Sequence, residues 1–283
     1  MTPALFAAQN PDGGWGARPG SRSWTEPTAW VLLALHNTVS DPIPLRRAVA
    51  WLKQAQLADG GWSAGPGIGD RCWVSALVAL LPAHLLGQAE QRRALAAVRA
   101  GAGPLPAWTD RLRQWMLGMK PLEGPPAQGW PWVPGTAPWL VPTAVSVLAL
   151  RKYGGDSTEN RVLLEHAHNY LLARQCQDGG WNHGSSRALG YDGASYPETT
   201  GLALLALRGA SGAAVERGIA TAIRQLRHCQ TFEGACWLRL ALFAHGRPSS
   251  VEAPPRLSLD IREQAIALIV ERCLAGEELL WTN

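Results

Sequence analysis

Three segments of this chain repeat one heptapeptide: Gln9-Asn-Pro-Asp-Gly-Gly-Trp15, Gln56-Leu-Ala-Asp-Gly-Gly-Trp62 and Gln175-Cys-Gln-Asp-Gly-Gly-Trp181. Gln128-Gly-Trp130 is a degenerate fourth copy, and Gln230-Thr-Phe-Glu-Gly-Ala-Cys-Trp237 a more degenerate fifth. Trp15 and Trp62 are 62 − 15 = 47 residues apart, and Trp130 and Trp181 are 181 − 130 = 51 apart. A period near 50 means a repeat architecture, in which each unit buries its apolar face only by stacking on its neighbours. Asp-Gly-Gly makes the tight turn, because Gly accepts positive φ. The Trp ring packs between helices, and the Gln amide satisfies backbone groups at a helix end. Trp15, Trp62, Trp130 and Trp181 therefore read as structural residues.

Helical patterns flank every copy. Leu45–Gln56 and Val162–Gln175 precede a motif and are amphipathic, with Arg46, Arg47 and Lys53 on one face. Glu26–Leu35, Asp70–Leu81, Thr143–Leu150, Glu198–Leu207 and Cys236–Ala244 follow a motif. Their Leu/Ala-rich runs favour helix over strand and are apolar nearly all round, the mark of burial on most sides. An inner ring of apolar helices inside an outer ring of amphipathic ones follows, with five pairs, or six counting Trp108–Met119. The expected fold is all-α, an α/α toroid over residues 1–283. A Pro-rich irregular stretch at 101–138 interrupts the period, since Trp62 to Trp130 is 130 − 62 = 68; a connection of that length is often functional.

Gln-x-x-Asp-Gly-Gly-Trp followed by Thr28-Ala-Trp30 and a Leu-Ala-Leu run resembles the QW repeat of squalene–hopene cyclases and protein prenyltransferase β subunits, over nearly the whole chain. The resemblance implies a toroid acting on a polyprenyl or triterpenoid hydrocarbon. It does not fix the reaction, because one fold hosts several chemistries. Squalene-type cyclases protonate an alkene with an Asp-x-Asp-Asp motif, which this sequence lacks, and they pair two toroids where this chain has length for one. Prenyltransferase β subunits bind zinc through Asp-x-Cys and a later His. Asp70-Arg-Cys72 resembles the first part, but Pro142-Thr143 stands where the His would fall, leaving a degenerate zinc site short of the three or four ligands zinc takes.

Aligned on their Leu-Ala-Leu cores, the inner helices place Glu26, Asp70, Glu198 and Glu233 at one position, with Val141 the exception, and match Thr28 with Cys72, Thr143 and Thr200. Two readings stand. First-turn acids are favoured by the helix dipole, by roughly 0.3–1 kcal/mol each, and Ser195-Tyr-Pro-Glu198, with Ser23-Trp-Thr-Glu26 less closely, fits a capping box. Alternatively an acid desolvated beside a central cavity keeps its proton and serves as a general acid. Asp192, in the loop Gly190-Tyr-Asp-Gly-Ala-Ser195, is the acid that capping explains least. The candidate catalytic residues are Asp192, Asp70 and Glu198. Trp30, Trp73, Trp139, Tyr191, Tyr196 and Trp237, with Glu26 and Glu233, are the candidate substrate contacts, because aromatic faces stabilise a cation.

Composition excludes other classes. The net charge of +4 comes from scattered Arg and Lys, which makes no nucleic-acid groove. Five cysteines, an odd number without a Cys-x-x-Cys pair, suit a reducing compartment, hence a cytoplasmic location. The N-terminal residues lack a basic region followed by an apolar run, so no signal peptide is expected, and no stretch of the given sequence is apolar for long enough to span a bilayer; peripheral membrane contact stays open. No dinucleotide, P-loop, metalloprotease or nucleophile-elbow motif occurs, and neither a metal nor another cofactor is expected. The sequence thus predicts a divergent terpene-cyclase-like enzyme using acid-initiated carbocation chemistry. The alternatives are a non-catalytic isoprenoid or lipid carrier or partner subunit, a prenyltransferase-β-like subunit, or a carbohydrate-active user of the same toroid.

Overall fold

The computed structural model describes residues 2–38, 43–105, 116, 125–184, 187–188, 191–255 and 259–282, with backbone alone at 187–188 and 191–192. Apart from Met116, the proposed helix Trp108–Met119 lies outside the described residues. So do residues 106–115 and 117–124 of the Pro-rich stretch and the side chains of Tyr191 and Asp192.

The helices alternate between two environments. α1 (Thr2–Ala7), α3 (Ile43–Gln54), α6 (Gln88–Ala100), α8 (Thr158–Ala173) and α10 (Ala213–His228) bury one face only. α2 (Thr25–Leu35), α4 (Val74–Ala79), α7 (Leu140–Tyr153), α9 (Pro197–Ala206), α11 (Phe232–Ala244) and α12 (Ile261–Leu274) are buried on most sides. A short α5 (Ala83–Leu86) precedes α6, and a two-residue hairpin, β1 (Arg187–Ala188) with β2 (Tyr191–Asp192), stands before α9. The second set packs in the cyclic order α2–α4–α7–α9–α11–α12–α2. This is the expected α/α toroid, with α12 as a sixth inner helix that closes the ring.

The repeated heptapeptide is the fastener. Each motif Trp reaches back to the outer helix before it: the indole N–H of Trp15, Trp62, Trp130 and Trp181 donates to the carbonyls of Leu5, Leu52, Val98 and Leu171, at 2.6–2.7 Å. Each backbone N–H of those Trp donates forward to an inner-helix hydroxyl, Thr28, Ser75, Thr143 or Thr200. The Gln amides of Gln9, Gln56 and Gln175 donate to their own turn and to the start of the next outer helix, at Pro44, Glu90 and Ala214. The first motif Gly carries positive φ, 96° at Gly13 and 85° at Gly60, and a Cβ there would meet the next outer helix within 2.8 Å. Two requirements, handedness and closeness, thus hold the same glycine.

Spacing of these bonds locates the insertions. Trp-to-carbonyl separation is 10 residues in three copies and 32 at Trp130, an insertion of 32 − 10 = 22. It accounts for the 68-residue interval. Trp-to-hydroxyl separation is 13 in three copies and 19 at Trp181, the 19 − 13 = 6 extra residues holding the hairpin.

A second relay closes the ring. The N–H groups of Thr25, Trp73, Leu140 and Ile261, each at the head of an inner helix, donate to the carbonyls of Ala64, Trp132, His183 and Ala17 in the following repeat, at 2.8–3.0 Å. The donors satisfied here are ones a helix start leaves without an intrahelical partner. At the opposite end, carbonyls accept from Arg272 (Ala34), Gln91 (Leu81), Asn160 (Leu150) and His245 (Leu204). All six inner helices therefore run parallel, with their N-termini at one mouth.

Two expectations change. Gln230–Trp237 is not a fifth motif: Trp237 sits inside α11, and residues 229–231 make the turn. The hydroxyl that receives the Trp62 N–H is Ser75, not Cys72, so the second helix shifts by three residues against the Leu-Ala-Leu alignment.

Candidate functional site

With the register set by the hydroxyls, the rim position lies two residues before each: Glu26, Trp73, Val141 and Glu198. The corresponding second residues of α11 and α12 are Glu233 and Arg262. Read in ring order, the mouth has an apolar arc, Trp73 and Val141, and a charged arc, Glu198, Glu233, Arg262 and Glu26. Asp70 falls outside this ring. It is exposed in the loop before α4, while neighbouring Arg71 pairs with Asp59 at 3.0 Å.

The charged arc is built around Arg262. Its Nη2 donates to Glu233 Oε2 at 2.7 Å, and its Nη1 lies 3.6 Å from Glu26 Oε1. The mouth leaves these side chains partly open, 17% exposed for Glu233, 31% for Glu26 and 38% for Arg262. Glu198 accepts from Thr231 Oγ1 at 2.6 Å, tying α9 to the head of α11. Asp260 caps α12 through the N–H groups of Arg262 and Glu263.

Below each of two acids lies a tryptophan one helical turn on. Glu233-x-x-x-Trp237 closes a hydrogen bond from the indole to Glu233 Oε1 at 3.2 Å. Glu26-x-x-x-Trp30 repeats the spacing in α2; the Trp30 indole N–H is buried without a full hydrogen bond, close enough to Glu26 to favour its charged form. The two indoles meet at 5.7 Å, tilted by 54°, although α12 separates their helices in the ring. They meet inside the ring, beneath Arg262, and only 4% of Trp30 and 1% of Trp237 is exposed.

The electrostatics follow from that placement. Burial pushes both the Glu26 and Glu233 carboxyls above the ordinary value of 4.5; Arg262 opposes the rise. Glu233 adds to the rise at Glu26, and Glu198 and Glu263 add to it at Glu233. Two partly desolvated carboxyls facing one guanidinium hold protons more firmly than solvated ones, as a general acid requires.

The capping-box reading gives way. The N-caps are Trp24 and Tyr196, which make no side-chain cap bond, while Ser23 and Ser195 donate instead to the motif carboxylates Asp12 and Asp178. The N-caps of α2, α4, α7 and α9 are all aromatic: Trp24, Trp73, Trp139 and Tyr196. Trp24 lies against Gly65 and Trp139 against Gly184, where a Cβ would come within 2.6 and 3.0 Å of the rings. Trp73 meets Trp132 edge-on at 5.2 Å, and Tyr196 faces His183 at 5.3 Å. These rings fasten one repeat to the next. Of the eight aromatic and acidic side chains expected to contact substrate, Trp30, Trp237, Glu26 and Glu233 come together.

Trp73 also lines a cleft with Cys72, Ala76, Trp130, Trp132 and Ser146, between α4, α6 and α7. It offers about 30 Å³, room for about two waters and not for a hydrocarbon chain. Burial raises the Cys72 thiol, and among the described residues no three His, Cys, Asp or Glu side chains gather closely enough to hold a metal ion.

No family model and no curated protein matches the chain. Solved structures do. The type II terpene cyclase MstE from Scytonema, in a variant form in complex with its substrate geranylgeranyl dihydroxybenzoate, is 17% identical over 98% of this chain and 76% of its own, with a TM-score of 0.55. The GH76A α-1,6-mannanase from Salegentibacter sp. HEL1_6 is 11% identical over 96% and 97%, with a TM-score of 0.59. At these identities the likeness speaks for the fold, a toroid that terpene cyclases share.

Sequence reasoning missed Arg262. Its signal was present: Asp260-Ile-Arg-Glu263 is an N-cap with a charged first turn before an apolar run. Without a preceding motif, nothing placed that helix in the ring. Among the described residues no helix is long and apolar enough to cross a membrane.

Proposed function

We propose that the chain is a terpene-cyclase-like enzyme that protonates a polyprenyl or terpenoid substrate at the N-terminal mouth of the ring. The supporting observation is the paired Glu-x-x-x-Trp arrangement: two carboxyls with raised proton affinity flank Arg262, and their indoles meet beneath it. Glu233, hydrogen-bonded to Trp237 and the less exposed of the two, is the proton donor; Glu26 shares its field. The proton passes from a Glu carboxyl to an alkene carbon, leaving a carboxylate that Arg262 holds and a carbocation that the indole faces stabilise by roughly 0.5–2 kcal/mol each. Entry of a chain to the buried indoles requires rim side chains to move aside. Trp73 and Val141, across the mouth, are the apolar surface for the rest of the chain. MstE, of similar fold, takes geranylgeranyl dihydroxybenzoate, a substrate of that class.

A second reading, a non-catalytic isoprenoid-binding protein, is favoured by Arg262 itself, since an ion-paired carboxylate is a poor acid. One experiment separates the two. The purified protein is incubated with squalene, polyprenyl alcohols and polyprenyl diphosphates, and extracts are analysed by gas chromatography–mass spectrometry. The same is done for Glu233→Gln, Glu26→Gln, and amide variants of Asp70, Asp192 and Glu198. A cyclic product lost in Glu233→Gln supports the proposal. A product surviving in Glu233→Gln and lost in one of the other variants moves the acid to that residue. No product, with an isoprenoid recovered unchanged from the protein, supports the binding reading.

A further inference from the structure

The end of the ring opposite the mouth is crossed by the segment that follows α12. Arg272, in the last turn of α12, donates to the Ala34 carbonyl of α2 at 2.7 Å and grips Glu277 through both of that residue's carboxylate oxygens. The chain then runs to α7, where Lys152 Nζ donates to the carbonyls of Glu278 and Leu279, each at 2.7 Å. In the order α2–α4–α7–α9–α11–α12, α7 lies diametrically across from α12, so the segment spans the ring. It reaches the turn after α9 as well: the Arg208 guanidinium donates to the Thr282 carbonyl and lies 5.5 Å from the Trp281 ring. The strap's own Leu279, Leu280 and Trp281 are buried in the core, and so is Cys273, whose sulfur lies close to the backbone of Leu279 and Leu280.

The geometry points to residues 277–282 as a latched strap that shuts the lower end of the toroid and leaves the acidic mouth as the way into the ring, with Lys152 and Arg208 as its latch. The inference holds whatever chemistry the mouth performs. An inner ring of parallel helices is open at both ends unless something covers them. Here a buried Leu-Leu-Trp run supplies the cover, and Lys152 and Arg208 hold it by its backbone carbonyls.

Cys273 reports the strap directly, and Cys236, buried in α11 away from it, is the internal control. The full-length protein and its Lys152→Met/Arg208→Met variant are alkylated with iodoacetamide at pH 7.5, and each cysteine is followed by peptide mass spectrometry. The expected result is at least tenfold faster labelling of Cys273 in the variant, with Cys236 unchanged. Trp281→Ala, which removes the buried ring of the strap, gives the same selective exposure, and Lys152→Arg keeps Cys273 protected. Equal protection of Cys273 in wild type and variant, or Cys236 and Cys273 opening together in both the latch variant and Trp281→Ala, overturns the proposal.

Discussion

Replacing Arg262 with Gln tests the physical core of the mouth, because it strands two carboxyls that one guanidinium now serves. The 2.7 Å contact to Glu233 is a charge-assisted hydrogen bond, a type that contributes about 1.5–3 kcal/mol. The 3.6 Å contact to Glu26 joins side chains that are 38% and 31% exposed, so solvent screening holds it below about 1 kcal/mol. The expected loss at pH 8 is about 2–3 kcal/mol, or roughly 5 °C in melting temperature for a chain of this size. The pH dependence carries the argument. Glu26 and Glu233 bind protons more tightly folded than unfolded. Their favourable contribution is therefore complete below the unfolded value of 4.5 and is lost as pH rises through the raised folded values. Removing Arg262 deletes the main influence opposing that rise, so the folded values climb further and the loss deepens on the alkaline side. At pH 4.5 protonated carboxyls need no counter-charge, and the loss shrinks to about 1 kcal/mol. Thermal unfolding followed by circular dichroism at both pH values measures the difference. In Arg262→Gln/Glu233→Gln part of the pH 8 loss returns, because the stranded charge is gone. A loss of equal size at both pH values, or no relief from the second substitution, refutes the reasoning.

Three further substitutions test the frame. Gly201→Ala places a Cβ 2.6 Å from the Trp237 backbone where α9 and α11 touch; overpacking there is expected to cost about 1–3 kcal/mol in urea unfolding, and a neutral result would show the helices free to part. Thr143→Val removes the acceptor of the Trp130 N–H, leaving a buried donor unsatisfied, with an expected loss of about 1–3 kcal/mol by the same measurement. Asp70→Asn, at an exposed loop residue, is expected to change stability by less than about 0.5 kcal/mol; a larger loss would return Asp70 to the ring of structural acids.

The toroid was legible because the heptapeptide makes three directional bonds at once, and a turn so constrained tolerates few alternatives. Its Gln, Asp, Gly and Trp each had a visible reason, and the 3.6-residue pattern on both sides identified outer and inner helices. The register of the inner helices was not legible from their apolar cores. A helix buried on all sides has no polar face, hence no phase to align, and Leu-Ala-Leu runs match equally well after a shift. The phase marker is the small hydroxyl that receives the motif Trp N–H. Taking Ser75 rather than Cys72 as that marker moves Trp73 onto the rim and Asp70 off it. The two serines of the expected capping boxes were misassigned for a related reason: Ser23 and Ser195 stand one residue before the N-cap, where their hydroxyls accept from the Asn10 and Gln225 amides and donate to Asp12 and Asp178, across the turn rather than along the helix.

The candidate site lies where the repeat fails. Pairs with a motif are fastened by its Trp, Gln and hydroxyl bonds, and two of their rim positions carry Trp73 and Val141, with no charge needed to join neighbours. α11 and α12 have no motif before them, and there the ring is closed by Glu198 with Thr231 and by Arg262 with Glu233 and Glu26. These polar contacts fasten the ring, and among the described residues Glu26 and Glu233 within them are the rim carboxyls whose proton affinity burial raises. Fastening requires the carboxyls to be charged; proton donation requires one of them to be neutral. Glu233→Gln distinguishes the roles, because the amide keeps an acceptor oxygen for Arg262 and for the Trp237 indole while abolishing the transferable proton. A variant whose stability stays within about 1 kcal/mol of the wild type and that yields no product assigns Glu233 to chemistry. One that loses stability and product together assigns it to the closure of the ring.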